Sequence, residues 1–486
     1  MSVVALPFTR TTTRETARIA VLGALAAVLL FHVSVLVYHL ALTMAFPYEL
    51  NYGEGYVLND AVRLAHGQAI YVDLQQFPMV RSPYPPLFPW LWSLVVPLAG
   101  AGLWPGRVLE IGSLAAIVAL IGINAWRTRG GIWPVVAAVG LVLASPFVYQ
   151  WAGYARVDLL ALLFAVGGVV AAQWIRGLRG VVLAAFLCAL GLWTKQTAIT
   201  ATAAVAVALM LRSWRDGALF VALVSAPSLA FGAILDAQTQ GEFVRHVLLG
   251  NASNPVLPAR AVIYVGTFAF LNLIALAGVV WWLRRALGGR PSPVALYVPI
   301  ALLAAFSAGN GGSSVNYLIE PVLALALAVP FVWRAVPPAS ATALPLFALI
   351  QLLLLAHWPN GFGTTYLAES AIGRTPTAED ASVGSQVDQI VRGTRGEVMV
   401  EAASFAIRND RPVYIQPIDL RAEQLQGRWQ PAPLVDALSS GRFARVITTY
   451  NLFPAAAEQA LGQHFTLSQT LSSPDGLTFR VYDFHS

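Results

Sequence analysis

The chain has 486 residues, of which 57% are hydrophobic and only 11% charged, with a mean hydropathy of +0.66. Soluble globular proteins carry about 25% charged residues, so this composition excludes an ordinary soluble core and points to a polytopic α-helical membrane protein. The net charge of +6 comes from arginine far more than lysine, which in a membrane protein reads as loop charge and not as nucleic-acid binding. The single cysteine, Cys188, lies in an apolar run, which rules out an intrachain disulfide and a metal–thiolate cluster.

Segments of about 20 apolar residues that could cross a bilayer recur about eleven times along the chain by a hydropathy reading. They are 17–46, 105–126, 131–150, 156–175, 180–195, 196–212, 218–237, 261–283, 293–308, 314–333 and 339–357. The polar, basic stretch before the first span is followed by an apolar run too long for a signal-peptide core, so that run is expected to be retained. Arg10, Arg14 and Arg18 precede span one. Basic loops follow at Arg127/Arg129, Arg176/Arg179, Arg212/Arg215, Arg284/Arg285/Arg290 and Arg334. All lie inside if the stretch 85–100, PPLFPWLWSLVVPLAG, is a helix in the outer interface and not a span. Its prolines and two tryptophans suit that role.

This topology expects a cytoplasmic N-terminus at 1–16, a transmembrane domain over 17–357 with its first outer segment at 47–104, and an extracytoplasmic domain over 358–486. In the tail the runs SVGSQVDQIVRG, EVMVEA, PVYIQP, PLVDALSSG, RVITTY, PAAAEQALGQHF and LTFRVYDF alternate between helix-like and strand-like, as in a small α/β domain. The triplet Asn251-Ala-Ser fits a glycosylation sequon.

Charges at membrane depth are costly unless paired or wetted, which makes each a functional candidate. Glu49, Glu54, Asp60, Arg81, Arg156, Asp158, Lys195 and Glu320 fall at or near the outer ends of spans. Gly53 and Gly55 flank Glu54 and allow close backbone approach. The helix that follows, about 56–66, carries Val57, Leu58, Ala61, Leu64 and Ala65 on one face. A carboxylate at its start suits a general base, and equally suits helix capping. In YARVDLL (154–160), Arg156 has the planar fork that fits phosphate. Asp158 suits a metal, a sugar hydroxyl or an ion pair with Arg156. In LWTKQTAI (192–199), Lys195 and Gln196 form a polar break, with Lys195 a point charge for phosphate or a snorkelling side chain. In SAGNGGSSVNYLIEP (307–321), Asn316, Tyr317 and Glu320 follow a Gly-rich loop. The histidines show no metal-ligand spacing. No phosphate-binding Walker motif, dinucleotide fingerprint or nucleophile elbow is present, so an ATP-driven pump is unsupported.

The first span, an acidic outer loop, a helix ending in Gly, Ile70-Tyr71 and Tyr84-Pro-Pro-Leu come in a familiar order. With Arg-x-Asp at 156–158, Thr-Lys-Gln-Thr at 194–197 and Asn-Tyr-Leu-Ile-Glu-Pro at 316–321, it resembles the GT-C superfamily of membrane glycosyltransferases. The likeness is to the protein O-mannosyltransferases, lipid A aminoarabinose transferases and the bacterial RgtA/B/C/D-like group, over residues 17–357. That resemblance implies a multi-pass protein of the inner (plasma) membrane that moves a sugar from a polyprenyl-phosphate donor to a lipid, glycan or protein acceptor on the outer face. By position Glu54 matches the first-loop base and Asp158 an acid found in some relatives. Relatives often have Asp-Glu where this chain has Gly-Glu-Gly, and a divalent metal remains an open cofactor. The implied reaction is an inverting displacement, with Glu54 taking the acceptor proton, Arg156, Lys195 and Arg81 facing the phosphate, and Glu54→Gln abolishing transfer without loss of expression. Tyr84, Gln196, Asn316, Tyr317 and Glu320 complete the expected substrate-binding set. A lipid-linked-sugar flippase would use a midplane site in broken helices, often with internal repeats. An O-antigen polymerase or ligase would carry its long outer loop late in the chain.

Overall fold

The computed structural model describes residues 13–128, 131–252, 255–337, 342–355, 374–450, 452–474 and 477–485. The chain opens with α1 (Thr13–Ala45), then α2 (Glu54–Ala65) and two short helices, α3 (Leu87–Ser93) and α4 (Val96–Ala99). The bundle continues with α5 (Trp104–Arg127), α6 (Ile132–Leu143), α7 (Pro146–Trp151), α8 (Asp158–Trp174), α9 (Gly177–Thr194), α10 (Ile199–Arg212) and α11 (Trp214–Gln238). It closes with α12 (Pro258–Leu271), α13 (Leu273–Ala286), α14 (Pro293–Ala304), α15 (Ile319–Ala335) and α16 (Leu344–Leu354).

All eleven expected spans fall on helices, but not as eleven full-length ones. Among the described residues, five helical stretches are long and apolar enough to cross a membrane: Glu15–Ala45, α5, α9, α11 and Val315–Ala335. The expected straight span 261–283 is the pair α12–α13, bent by 88°. The bend is held at Gln351, whose amide accepts from the Ile274 and Ala275 N–H groups and donates to the Leu271 carbonyl. The expected span 131–150 is broken between α6 and α7 at Ser145-Pro146. The stretch 85–100 forms α3 and α4, of 7 and 4 residues, far short of the ~20 a span needs.

Several remaining spans are short because they stop at one polar region. α8 starts at Asp158, α9 ends before Lys195, α14 gives way to a 3₁₀ turn at Ala305–Gly309, and α15 follows another at Val315–Leu318. Irregular backbone at membrane depth is tolerated where protein buries it or where it lines a cavity, and these breaks share one end of the bundle. The connections carrying Arg127, Arg176/Arg179, Arg212/Arg215, Arg284/Arg285 and Arg334 share the other end.

The C-terminal unit sits on the polar end. It comprises α17 (Ala378–Gly393), β1 (Glu397–Val400), α18 (Ala403–Arg408), α19 (Pro417–Leu425), α20 (Ala432–Ser439), β2 (Phe443–Thr448), α21 (Ala455–His464), β3 (Phe465–Ser472) and β4 (Thr478–Phe484). The sheet order is β1-β2-β4-β3, with β1 parallel to β2 and the other pairs antiparallel. PVYIQP, expected as a strand, joins no ladder. Its Ile415 makes an isolated bridge to Met79 of the first loop, with Met79 N–H donating to Tyr414 O at 2.7 Å and Gln416 N–H to Met79 O at 3.1 Å. Leu74 and Met79 are buried in the same apolar cluster as Met399, Ile415, Leu420 and Trp429. The first loop is thereby part of the C-terminal core.

Glu49 lies in that seam. Its Oε2 accepts from Ser404 N–H at 3.0 Å, and the carboxyl is buried. Burial, reinforced by the Glu54 and Glu401 carboxylates and only partly offset by Ser404, pushes the Glu49 pKa up to about 8. The folded chain thus holds this proton more tightly than the unfolded chain, whose value is near 4.5. Stability is expected to be greatest below that lower value, to fall as pH rises toward 8 and to level off above it. A Tm series from pH 5 to 9 in detergent should show a decline of at least about 3 °C that is absent from Glu49→Gln.

Candidate active site

The Gly-Glu-Gly motif at the head of α2 sends three groups in three directions. A Cβ on Gly53 would fall 1.0 Å from Arg156 Nη1, and one on Gly55 would fall 2.2 Å from Glu49 Oε2. The two glycines therefore make room for the Arg156 guanidinium on one side and the Glu49–Ser404 contact on the other. Glu54, between them, points into the bundle and is completely buried.

Its partner is Arg107, in the first turn of α5 and equally buried. Glu54 Oε1 accepts from Arg107 Nε at 2.9 Å and from Ala155 N–H at 2.7 Å. Oε2 accepts from Leu50 N–H at 2.7 Å and Arg107 Nη2 at 3.1 Å. Arg107 also donates to the carbonyls of Thr43, Phe46 and Tyr48 at 2.6, 2.5 and 2.7 Å. A carboxylate with four donors has no lone pair left for an acceptor hydroxyl. The role of general base expected for Glu54 therefore does not fit this geometry. Glu54 instead fixes the turn that carries Arg156 and Asp158.

Arg156 Nη2 donates to the Tyr84 hydroxyl at 2.8 Å and Nη1 to Asn51 Oδ1 at 3.2 Å. Asp158 Oδ1 accepts from Lys195 Nζ at 2.5 Å and from Asn316 Nδ2 at 2.8 Å, and Oδ2 from Trp151 Nε1 at 2.9 Å. Asp158 is thus paired with Lys195. Lys195 occupies the extended residue between α9 and the following 3₁₀ turn. Its ammonium lies 4.5 Å from the Tyr317 ring centre and 6.0 Å from that of Tyr84, within cation–π range. It is the only lysine in the chain; the other 29 of the 30 basic residues are arginine.

Asp158 and Lys195 line a cavity of about 250 Å³ whose walls also include Thr200, Asn316, Tyr317 and Glu320. Glu320 Oε1 accepts from the Thr200 and Tyr297 hydroxyls, the latter at 3.0 Å. Thus Tyr84, Arg156, Asp158, Lys195, Asn316, Tyr317 and Glu320 come together as expected.

Of the expected set, Glu54, Arg81, Tyr84, Arg156 and Gln196 do not line the cavity; Tyr84 and Arg156 stand next to it through the Tyr84 ring, which lies 6.0 Å from Lys195 Nζ, and Arg81 and Gln196 are engaged elsewhere. Arg81 is ion-paired with Asp419 at 2.9 Å and donates to His246 O and Asn251 Oδ1, so it is a strut between the first loop, the 242–251 segment and α19. Gln196 donates to Pro83 O and Val247 O, both at 2.8 Å, and holds the loops over the site. The Asn251 amide donates to Pro83 O and Val247 O, so it is spent on structure and not free for a glycan.

Sequence reasoning passed over Arg107 and Glu110. Glu110 accepts from the Leu159 and Leu160 N–H groups at 2.9 Å, holding the first turn of α8. Two charges three residues apart inside the apolar run 105–126 are the signal that identifies them. Among the described residues, no group of three or more His, Cys, Asp or Glu side chains is placed to hold a metal ion.

No protein-family model and no curated protein matches the chain. Solved structures do. ArnT from Cupriavidus metallidurans bound to undecaprenyl phosphate superposes with a TM-score of 0.60 at 14% identity, covering 93% of this chain and 97% of that one. Its apo state gives 0.57 at 13% identity with the same coverage. The Archaeoglobus fulgidus oligosaccharyltransferase in complex with zinc and sulfate gives 0.51 at 12% identity, covering 92% of this chain and 72% of that one. The chain shares its fold with these structures over more than nine-tenths of its length, and lipid A aminoarabinose transferases are among the proteins that the sequence resembles.

Breaking a buried ion pair by removing one partner costs about 3–5 kcal/mol. Glu54→Gln and Arg107→Met are therefore expected to reduce the yield of folded protein and to lower Tm clearly, as read by size-exclusion chromatography and thermal unfolding in detergent. Gly53→Ala should leave the fold in place and displace the Arg156 guanidinium, which would appear as a selective loss of binding to a phosphate-bearing lipid.

Proposed function

We propose that this protein is a membrane glycosyltransferase that moves a sugar from a polyprenyl-phosphate donor to an acceptor at the outer face of the membrane. The observation that carries the reading is the chain's single lysine, held against Asp158 in a cavity at the end of the bundle opposite the arginine-bearing loops. Positive loops stay inside, which puts the cavity, the first loop and the C-terminal unit outside, and the N-terminus in the cytoplasm.

The chemistry follows from charge. When the anomeric carbon leaves the donor, a phosphodiester with one negative charge becomes a monoester with about two. The electron pair of the broken C–O bond stays on the phosphate oxygen. A cation at that oxygen therefore lowers the barrier more than it tightens the ground state. Lys195 suits this role. One ammonium hydrogen is committed to Asp158, which leaves two for a ligand in the cavity that Lys195 lines. Arg156, anchored on Tyr84 and Asn51, offers a second cation beside it. Asp158 has its catalytic role through Lys195, as the group that orients it. The C-terminal unit, sharing its core with the first loop, is positioned to bind the acceptor.

The bent pair α12–α13 keeps a flippase as the second reading, since broken helices mark many transporters. The clustering of the polar groups at one end favours transfer.

Membranes containing the protein, supplied with radiolabelled polyprenyl-phosphate hexoses and pentoses, should move label into a lipid, glycan or protein fraction. Removing a donor that acts on developing charge typically costs about 10²–10³ in kcat. Lys195→Met, which also removes the partner of buried Asp158 and should lower Tm, is expected to lose that much per folded molecule, with the folded fraction measured by size-exclusion chromatography. Equal transfer by wild type and Lys195→Met would sink the assignment of this cavity.

A further inference from the structure

The proposed transfer also needs a group to take the acceptor proton. Five carboxylates at the cavity end come under consideration, and their hydrogen bonds separate them. Glu54 is filled by Arg107 and two backbone N–H groups. Glu110 takes one backbone N–H of α8 on each oxygen, has no exposure and does not line the cavity. Asp158 carries Lys195, Asn316 and Trp151. A lysine in direct contact stabilises its charged form and so makes it a weak base. Asp419 faces Arg81 in the seam with the C-terminal unit.

Glu320 differs from these in three respects. It lines the cavity that holds Lys195. Its Oε1 is held by two neutral hydroxyls, Thr200 and Tyr297, which orient the carboxylate, and it has no hydrogen-bonded cation of the kind that Lys195 is to Asp158. Among the described residues no donor reaches its Oε2, so that oxygen is free to accept a proton. Tyr297 is itself completely buried on α14, which makes the hydroxyl clamp a built feature of the bundle.

We propose that Glu320 is the general base of the transfer reaction. The acceptor hydroxyl oxygen forms the bond to the anomeric carbon as its proton passes to Glu320 Oε2. The bond from that carbon to the phosphate oxygen breaks, and its electron pair remains on the lipid phosphate beside Lys195. Glu320 then releases the proton to water. This inference rests on the transferase reading above. Base and phosphate clamp stand on different walls of one cavity, Glu320 on α15 and Lys195 between α9 and α10, which suits a displacement with entering and leaving groups on opposite sides of the sugar.

The test uses the full-length protein in lipid nanodiscs, a donor that wild type turns over, and unlabelled polyprenyl phosphate as the binding probe. General-base catalysis contributes about 10²–10⁴ in rate. Glu320→Gln is expected to lose kcat by a factor in that range while its affinity for polyprenyl phosphate stays within about twofold. Glu320→Ala should regain activity in added formate, whose carboxylate replaces the missing one, and Glu320→Asp should be intermediate. Wild-type-like kcat in Glu320→Gln overturns the proposal, and so does loss of polyprenyl-phosphate binding, or of rescue by formate, in the folded variants. If wild type transfers and Glu320→Gln does too, only the base assignment falls. If wild type transfers from no donor, the transferase reading falls, and the base with it.

Discussion

The arrangement of the polar end rests on one buried ion pair. Glu54 and Arg107 are sealed from solvent, and between them they reach the end of α1, the loop that follows it, the start of α2, the start of α5 and the turn before α8. Desolvating two charges is expensive unless the remaining donors and acceptors are also satisfied. Here Arg107 spends its guanidinium on three carbonyls as well as on Glu54, and the carboxylate takes two backbone amides. The pair therefore contributes geometry more than net stability. It holds Arg156 and Asp158 at fixed positions relative to the first loop.

A second constraint shapes the helices. Irregular backbone at membrane depth is tolerated only where protein buries it or where it lines a cavity, and the helix breaks of the bundle gather at the cavity that holds Lys195. The chain ends α9 one residue before Lys195, starts α8 at Asp158 and enters α15 through a 3₁₀ turn that presents Asn316 and Tyr317. Lysine at the centre is informative because arginine serves elsewhere. A compact ammonium on a flexible stem enters a small cavity and directs its hydrogens separately, where a guanidinium would impose its planar fork.

The sequence was most legible where hydropathy carries the information. Every expected span lies on a helix, and the Pro-rich stretch 85–100 is too broken to cross. Breaks inside spans were not legible. The polar contact that shapes α12–α13 comes from Gln351, nearly 80 positions away, and no local pattern announces it. In the C-terminal unit, PVYIQP has the composition of a strand, yet its backbone partner is a single residue of the first loop. The edge strand β3 was missed because, of its eight residues, only Phe465 is buried. Residue type and position singled out Asp158, Lys195, Asn316, Tyr317 and Glu320, which line one cavity. Glu54, Arg81 and Gln196 had suitable types and positions, but their hydrogen bonds go to Arg107, to Asp419 and to the Pro83 and Val247 carbonyls, partners that no local pattern announces. Arg107 and Glu110 were within reach, since charges in an apolar span call for an explanation.

The central claim is that the lipid phosphate sits at Lys195. The most direct measurement is a structure of the protein in nanodiscs with polyprenyl phosphate bound. The account predicts phosphate density within hydrogen-bonding reach of Lys195 Nζ, beside Arg156 and Tyr84, with the isoprenoid chain leading away toward the bilayer. Phosphate density at the arginine-bearing end of the bundle, or midway along it at the bent pair, with the Lys195 cavity empty, would contradict it.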